Sequence, residues 1–243
     1  MTIAALYDIH GNLPALEAVL REVRAAGVDC VVVGGDALPG PMPVASLDAL
    51  SSIGVPVACI TGNGEVAVIA EREGRNSGVP AQRRASIQWV AGQLSPDHVR
   101  AIAAWPRTTR VGDVLFCHAT PRNEYEIFTK TTPEPRLAPI FAAVGAPTVV
   151  CGHTHMQFDR RIGGIRVLNA GSVGMPFGEP GAYWLLIGSE VELRRTEYDL
   201  HAAADRIRHT AYPDAAEFAA TNVLDPPGEA QMLAAFARAE LTA

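Results

Sequence analysis

Short apolar runs, rich in β-branched residues, recur along the chain and end abruptly in glycine, aspartate, asparagine or histidine. Their length and composition favour buried strands over helices. Between them, apolar residues recur at helical spacing, as in the segment after Asn12, where Pro14 falls in the first turn and Gly27 ends the pattern. This alternation predicts a largely parallel sheet covered by helices. The predicted strands here are residues 3–7, 30–33, 55–60, 114–117 and 148–151, and further helices are predicted over 45–53, 65–72, 80–94 and 96–104.

The pattern changes after the motif "GHTH" at residues 152–155. Closely spaced apolar runs separated by glycine-rich turns predict antiparallel strands over 158–162, 165–168, 182–187 and 191–196. Residues 125–139, with several threonines and prolines, are predicted to form a long loop. From residue 199 onward the chain is alanine-rich and helical in pattern. We expect one domain over 1–243, with a catalytic core (1–198) and a C-terminal helical extension (199–243) that carries no concentration of reactive residues.

Polar side chains with oxygen or nitrogen donors stand directly after five of the predicted strands. Because ligands bind at the carboxyl ends of the strands in open α/β sheets, loops far apart in the chain can bring these side chains together. A single histidine or aspartate after a strand is more often a turn or capping residue. Capping, however, does not require five strand ends to carry the residue types of one metal site. The candidate ligands are Asp8, His10, Asp36, Asn63, His118, His153 and His155.

This donor set indicates two divalent metal ions. Aspartate, histidine and asparagine without cysteine suit Mn, Fe, Ni or Zn in a reactive site better than they suit a structural zinc site. Seven donors exceed the need of one tetrahedral ion, so two ions that share a carboxylate are the simplest interpretation. In "DIH" and "HTH" the donors are two residues apart and project to the same side of an extended chain. Two ions about 3.5–4 Å apart are a common device for phosphate-ester hydrolysis through an activated hydroxide.

Composition narrows the partners and the compartment. The 243 residues are 48% hydrophobic and carry a formal net charge of −6, which argues against an extended nucleic-acid-binding surface. A small phosphorylated substrate is expected instead, with the metal ions as the source of positive charge. Four separated cysteines and no recognisable signal or membrane-spanning segment favour a cytoplasmic protein that does not enter a membrane. Nothing in the sequence pattern fixes an oligomeric state.

The ordered motifs "DIHGN", "GGD", "GN", "CH" and "GHTH" resemble those of the calcineurin-like metallophosphoesterase superfamily. The "NAGSVG" stretch at 169–174 makes the chain most similar to the small bacterial and archaeal phosphodiesterase branch. The resemblance implies an α/β fold, a four-layer sandwich of two mixed β-sheets flanked by helices. It also implies metal ligands: Asp8, His10 and His155 for a first ion, Asn63, His118 and His153 for a second, and Asp36 as the bridge between them.

One position departs from the family pattern. Many members carry a histidine directly after "GN" that helps the leaving group, and relatives in the small branch often carry a cysteine, whereas this chain has Gly64. The help that the family histidine gives to the leaving group must then come from Glu65, from Arg122, from His98 or from metal-bound water, or it is missing. A missing general acid predicts a preference for esters with good leaving groups. Pro39 also replaces a flexible residue of the second motif and stiffens the loop beside Asp36.

The sequence therefore predicts a phosphodiesterase or phosphatase in which Asp36, Asn63 and Arg122 take part in catalysis. Arg122 and Ser172 are the candidate substrate contacts, since a guanidinium grips two phosphoryl oxygens and a hydroxyl can bind an anion. A solvated loop arginine and a plain turn serine are the simpler alternatives. A degenerate member that senses or binds a phosphorylated ligand is the alternative function. Haloacid-dehalogenase chemistry is disfavoured because "DIH" lacks the second aspartate of a D-x-D motif.

Overall fold

Two five-stranded sheets face one another in the computed structural model, which describes residues 1–241. Among these residues the strands are β1 (Ile3–Leu6), β2 (Cys30–Val33), β3 (Val57–Cys59), β4 (Thr108–Val111), β5 (Val114–Cys117), β6 (Thr148–Cys151), β7 (Phe158–Ile162), β8 (Ile165–Asn169), β9 (Ala182–Ile187) and β10 (Val191–Thr196). The helices are α1 (Leu13–Ala26), α2 (Pro43–Ser51), α3 (Asn63–Arg72), α4 (Ala81–Gln93), α5 (Pro96–Ala103), α6 (Glu134–Phe141), α7 (Leu200–Arg208), α8 (Ala215–Phe218) and α9 (Glu229–Phe236), and a π-helix (Ala219–Leu224) continues α8.

Each sheet joins parallel and antiparallel strands. The first has the order β10-β9-β1-β2-β3, in which β1, β2 and β3 are parallel and the β9–β10 hairpin adds antiparallel to β1. The second has the order β4-β5-β6-β8-β7, in which β5, β6 and β8 are parallel. The predicted antiparallel pairing of the strands after "GHTH" is confirmed for β7 with β8 and for β9 with β10. It is incomplete for β8, which also pairs with β6 in parallel. The chain crosses over through β7 before it reaches that position.

The alternation of side chains along β1 explains the layered core. Ala4 and Leu6 point into an apolar cluster with α1, whereas Ile3, Ala5 and Tyr7 point into the cluster between the two sheets. All five are buried, because this strand lies in the middle of its sheet with cover on both faces. On the far side of the second sheet, α6 packs over a further apolar cluster. The predicted sandwich of two mixed sheets flanked by helices is confirmed.

Helix α1 follows the sequence pattern closely. The side chain of Asn12 accepts a hydrogen bond from the backbone N–H of Ala15 at 3.2 Å, Pro14 lies in the first turn, and Gly27 ends the helix in a left-handed conformation. The cap fixes where the chain leaves the loop that follows β1. The polar residues of "DIHGN" are thereby held between the end of a strand and the start of a helix.

The predicted loop over 125–139 is wrong in its second half. Helix α6 begins at Glu134 because Leu137, Ile140 and Phe141 recur at helical spacing and bury one face against the second sheet. The prolines that suggested a loop lie before the helix and in its first turn, where proline is tolerated, and at Pro139 within it. Strand β4 was not predicted, since its half-exposed residues carry no apolar run.

The C-terminal extension packs firmly against the core. Ala203, Ala204 and Ile207 of α7 join an apolar cluster with helices α3, α4 and α5. Arg206 forms an ion pair with Glu17 of α1, with N–O distances of 2.6 and 3.2 Å. The boundary at residue 198 stays a prediction, and residues 242 and 243 of the predicted extension lie outside the described residues. Within residues 1–241, the helices are too short or too polar to cross a bilayer.

Candidate metal centre and adjoining cavity

The structure brings the seven predicted ligands to one edge of the two sheets. Asp8 and His10 follow β1, Asp36 follows β2, and Asn63 opens α3 directly after β3. The remaining donors come from the second sheet, where His118 follows β5 and His153 and His155 follow β6. The strand order puts β1, β2, β5 and β6 near the middle of their sheets, so their carboxyl ends meet.

A first group of donors surrounds the carboxylate of Asp8. Its Oδ1 lies 3.3 Å from Nε2 of His155 and 3.9 Å from Nε2 of His10, and those two nitrogens are 3.3 Å apart. The other oxygen, Oδ2, accepts a hydrogen bond from the backbone N–H of His153 at 2.8 Å. Oδ1 is buried and has no hydrogen-bond partner among residues 1–241. A buried carboxylate oxygen without a donor is costly, so this atom fits a metal ligand.

A second group adjoins the first. The Nε2 atom of His118 lies 3.0 Å from Oδ1 of Asn63, 3.6 Å from Oδ1 of Asp36 and 3.9 Å from Oδ1 of Asp8. The other oxygen of Asp36 lies 3.7 Å from Nε2 of His10, so the two oxygens of this carboxylate face different imidazoles. The rings of His118 and His153 are 5.1 Å apart. Asp8 and Asp36 thus both stand between the two groups.

Backbone carbonyls fix the orientation of the four imidazoles. A carbonyl oxygen only accepts hydrogen bonds, so the ring nitrogen that faces it carries a proton, and in the neutral ring the other nitrogen has a lone pair for a metal. The nitrogen that does not face a carbonyl is Nε2 in His10, His118 and His155, and Nδ1 in His153. The pairs are His10 Nδ1 with Pro39 O (3.3 Å), His118 Nδ1 with Gly34 O (2.9 Å), His155 Nδ1 with Met175 O (2.6 Å) and His153 Nε2 with Tyr125 O (3.2 Å).

The electrostatics of the site also suit metal ligands. Burial, together with the neighbouring His155, lowers the pKa of His10 to about 3, and burial with His118 lowers the pKa of His153 to about 3. Both rings are therefore neutral near pH 7, as ligation requires. Burial would raise the pKa of Asp8, but the imidazoles around it, above all His155, hold that pKa well below its usual range. Burial lowers the pKa of His155, but its contacts with Asp8 outweigh this and raise that pKa above its ordinary value. An ionised carboxylate beside the neutral ring of His10 favours a bound cation.

Five of the seven candidate ligands have strained backbone conformations. Their φ angles are between 48° and 65°, in the left-handed region that residues with side chains seldom adopt. Such conformations persist where the surrounding structure enforces them, and they concentrate at functional sites. No sequence pattern indicated this feature. The residues are Asp8, His10, Asp36, His153 and His155.

The side chain of Glu65 joins the loop that follows β2 to the loop that follows β3. Its carboxylate is fully buried and accepts backbone hydrogen bonds from Asp36 and Gly62, both at 2.8 Å, and from Leu38 at 2.9 Å. Burial and the nearby Asp36 raise the pKa of Glu65 to about 7, against the effect of the three N–H donors. The residue was a candidate proton donor in the sequence, but its oxygens are engaged with the backbone. It therefore acts on the site by positioning Asp36.

The backbone at Gly64 is packed too closely against its surroundings to carry a side chain. A Cβ atom on this residue would lie 2.1 Å from the carbonyl oxygen of Leu38 and 2.8 Å from Cδ of Pro39, distances that real side chains do not show. Its N–H donates to Oδ1 of Asp36 at 2.7 Å. The loop after β2 thus occupies the space that a side chain at position 64 would need. The histidine or cysteine of relatives cannot be introduced here without moving that loop.

The other candidate helpers and substrate contacts lie elsewhere. The guanidinium of Arg122 is bound to the carboxylate of Glu126, and it does not line the cavity described below. His98 lies beside a different cavity, next to α2. Ser172 is fully buried, and its hydroxyl donates to the backbone oxygen of Asp8 at 2.7 Å. The geometry gives Arg122 and Ser172 structural roles, and their predicted contacts with substrate stay predictions.

A cavity of about 460 Å³ opens beside the metal centre. On one side it reaches His10, Asp36 and Asn63, and on the other it is lined by α4 and by the C-terminal extension. The position of the extension beside the metal centre was not predicted. One signal was available, since Asp214, Phe218 and Asn222 recur at intervals of four. These residues lie on one face of a helical segment.

Comparisons with known proteins agree with this geometry. Residues 1–189 match the family model described as "calcineurin-like phosphoesterase superfamily domain". The uncharacterized protein MJ0912 of Methanocaldococcus jannaschii is 24% identical over 236 residues, which cover 87% of this chain and 94% of that protein.

Two solved structures share the fold. A metallophosphoesterase from Sphaerobacter thermophilus is 27% identical with a TM-score of 0.75, and the match covers 92% of this chain and all (100%) of that one. The hypothetical protein PH1004 from Pyrococcus horikoshii OT3 is 19% identical with a TM-score of 0.78, over 93% of this chain and 99% of that one.

Exchange of Glu65 for glutamine tests its positioning role. Glu65→Gln places an NH₂ group where a carboxylate oxygen accepts backbone N–H bonds, so we expect the free energy of unfolding to fall by about 1–3 kcal/mol. Metal affinity should fall by about 10–100-fold, because Asp36 loses its support. Urea denaturation and a metal titration measure the two effects. Unchanged metal affinity in a folded variant would contradict the role assigned to Glu65.

Gly64→Ala tests the steric account of position 64. The added Cβ must displace the backbone at Leu38, so we expect the free energy of unfolding to fall by about 2 kcal/mol or more. Gly92→Ala is the matched control, since Gly92 lies in α4 and a Cβ there meets nothing within 4 Å. That change should be neutral or stabilise by up to about 1 kcal/mol. Equal stability of the two variants in urea denaturation would refute the steric account.

Proposed function

Because the chain belongs to the calcineurin-like phosphoesterase superfamily, we propose that it is a metal-dependent phosphoesterase acting on a small phosphorylated molecule. The resemblance carried by the sequence motifs is confirmed at the level of the family. The observation that supports an active enzyme is the buried Oδ1 of Asp8, which has no hydrogen-bond partner in the described part of the chain and faces the Nε2 atoms of His10 and His155. A decayed site would not need to keep this costly arrangement.

Two ions fit the two groups of donors. In this proposal Asp8, His10 and His155 would hold one ion, and Asn63, His118 and His153 would hold the other. Asp36 would serve both, since its two oxygens face His10 and His118. When bound, such ions supply Lewis acidity and make water a nucleophile near neutral pH. The neutral amide of Asn63 adds an oxygen donor without further negative charge. Mn, Fe, Ni and Zn all accept this ligand set.

The substrate is expected to be a small ester. The cavity of about 460 Å³ falls in the range of ~300–1,000 Å³ typical of small-molecule sites. The chain carries a formal net charge of −6, which does not favour a polyanionic partner. A phosphodiester, a phosphomonoester or a phosphoanhydride would each place one phosphoryl group against the metal centre.

A cytoplasmic location is part of the proposal. All four cysteines are free thiols, and Cys117 and Cys151 are buried in the second sheet. Free buried cysteines are common in reducing compartments, where disulfides are rare.

Metal analysis combined with a turnover assay tests the proposed function. We expect the protein reconstituted with Mn²⁺ to bind two ions per chain and to hydrolyse bis(p-nitrophenyl) phosphate. His118→Ala should lose one ion and at least about 100-fold in kcat, because a ligand is removed. His209→Ala, an exposed histidine of the extension, is the matched control and should change neither value. Two bound ions without turnover would favour a ligand-binding sensor, and no bound metal would overturn the assigned site.

The absence of a side chain at Gly64 predicts a strong dependence on the leaving group. Gly64 offers no side chain at the place of the family histidine, so the departing oxygen receives less help with its negative charge. General acid catalysis typically contributes about 10²–10⁴-fold, and its loss weighs most on poor leaving groups. A series of aryl esters with leaving groups of different pKa measures the effect. A flat dependence of kcat/KM on that pKa, with chemistry rate-limiting, would show that another group donates the proton.

A further inference from the structure

The cavity beside the metal centre has a wall that lies outside the family match. Tyr212, Asp214, Phe218 and Asn222 line it, and all four follow residue 189, where the match with the family model ends. Tyr212 and Phe218 are buried, and their rings meet edge to face with centroids 6.3 Å apart. The extension therefore supplies a preformed part of the cavity.

Apolar surface from the core completes the same cavity. Ala67 of α3 and Ile87 of α4 line it and belong to one apolar cluster with Tyr212 and Phe218. Tyr125 also lines the cavity, with 44% of its surface exposed, and its backbone oxygen holds the ring of His153. Aromatic and aliphatic walls of this kind favour a flat, apolar group in the cavity.

The charges along the cavity argue against a second phosphate. Among residues 1–241, Arg83 is the only lysine or arginine that lines the cavity. Its guanidinium lies 3.6 Å from the carboxylate of Glu217, so its charge is already partly compensated. Asp214 adds a negative charge to the same wall and accepts a hydrogen bond from Ser86. An anionic group in this part of the cavity would meet more repulsion than attraction.

We propose that this cavity binds the organic part of the substrate, and that the substrate is a phosphate ester of an uncharged aromatic alcohol. The inference rests on the proposed phosphoesterase function, since His10, Asp36 and Asn63 border both the cavity and the metal centre. An aromatic group in the cavity places its ester phosphate at those ligands. The C-terminal extension is then the element that selects the substrate.

Three diesters that all release p-nitrophenolate test the proposal with the full-length, metal-loaded protein. They are methyl, phenyl and 4-carboxyphenyl p-nitrophenyl phosphate, which differ only in the second ester group. We expect kcat/KM for the phenyl ester to exceed that for the methyl ester about tenfold or more, because the ring is buried. The 4-carboxyphenyl ester should lose most of that advantage. Equal values for the methyl and phenyl esters, together with equal affinity for phenylphosphonate and methylphosphonate, would overturn the proposal.

Two pairs of variants locate the effect in the cavity. Val79→Trp and Asn222→Trp narrow it from the loop before α4 and from the extension, and both sites are half-buried. Arg75→Trp and Thr221→Trp are the matched controls, since these neighbouring residues are exposed and do not line the cavity. The phenyl-to-methyl ratio should approach one in the first pair and stay at the wild-type value in the second. A ratio unchanged in all four folded variants would place the aromatic group elsewhere.

A binding measurement separates this proposal from the proposed function. If the metal-loaded protein hydrolyses none of the esters, the proposed function fails, and calorimetry with phenylphosphonate and methylphosphonate still tests the cavity. Binding of phenylphosphonate about tenfold tighter than methylphosphonate, with the preference lost in Val79→Trp and kept in Arg75→Trp, would support the aromatic site. Equal affinity for the two phosphonates would overturn it.

Discussion

The buried carboxylate of Asp8 is the constraint on which the rest of the site depends. Among residues 1–241 no group is placed to donate a hydrogen bond to its Oδ1 when the surrounding rings are neutral, and the Nε2 atoms of His155, His10 and His118 lie 3.3, 3.9 and 3.9 Å away. In each neutral ring that nitrogen carries a lone pair, because the opposite nitrogen faces a backbone carbonyl. Acceptors that meet without a donor are unfavourable unless a cation lies among them. The fold therefore maintains an arrangement that a bound metal ion stabilises.

The two sheets make this arrangement possible because their interior holds the loops in unfavourable conformations. Asp8 and Asp36 both follow buried parallel strands, and both have φ angles of 51°. Their loops are joined by hydrogen bonds from the N–H of Asp8 to the oxygen of Gly35 and from the N–H of His10 to the oxygen of Asp36. Each left-handed residue costs about 1–3 kcal/mol, which the packing of the strands must outweigh. The strained backbone of the site thus offsets part of the stability that the core provides.

Much of this was predictable from the sequence, and the parts that were not have a physical reason. Strand-end polar residues such as Asp8 and His118 carry a local signal, because strand, turn and donor are adjacent in the chain. The carbonyl of Met175 that orients His155 carries none, since every residue has a carbonyl. The parallel pairing of β8 and the packing of the extension depend on contacts between distant segments. The steric clash that a side chain at position 64 would make likewise involves a residue distant in the sequence, Leu38.

Gly64 and the extension act on the same side of the metal centre. Gly64 lines the cavity together with Tyr212 and Phe218. A side chain at position 64 would meet the loop at Leu38 and Pro39, and Pro39 also lines the cavity. The glycine removes a helper from the chemistry, and it also allows that loop to approach α3 closely. In the proposed enzyme, discrimination among substrates would then rest on the cavity walls. The residue that departs from the family pattern and the segment beyond the family match therefore border the same cavity.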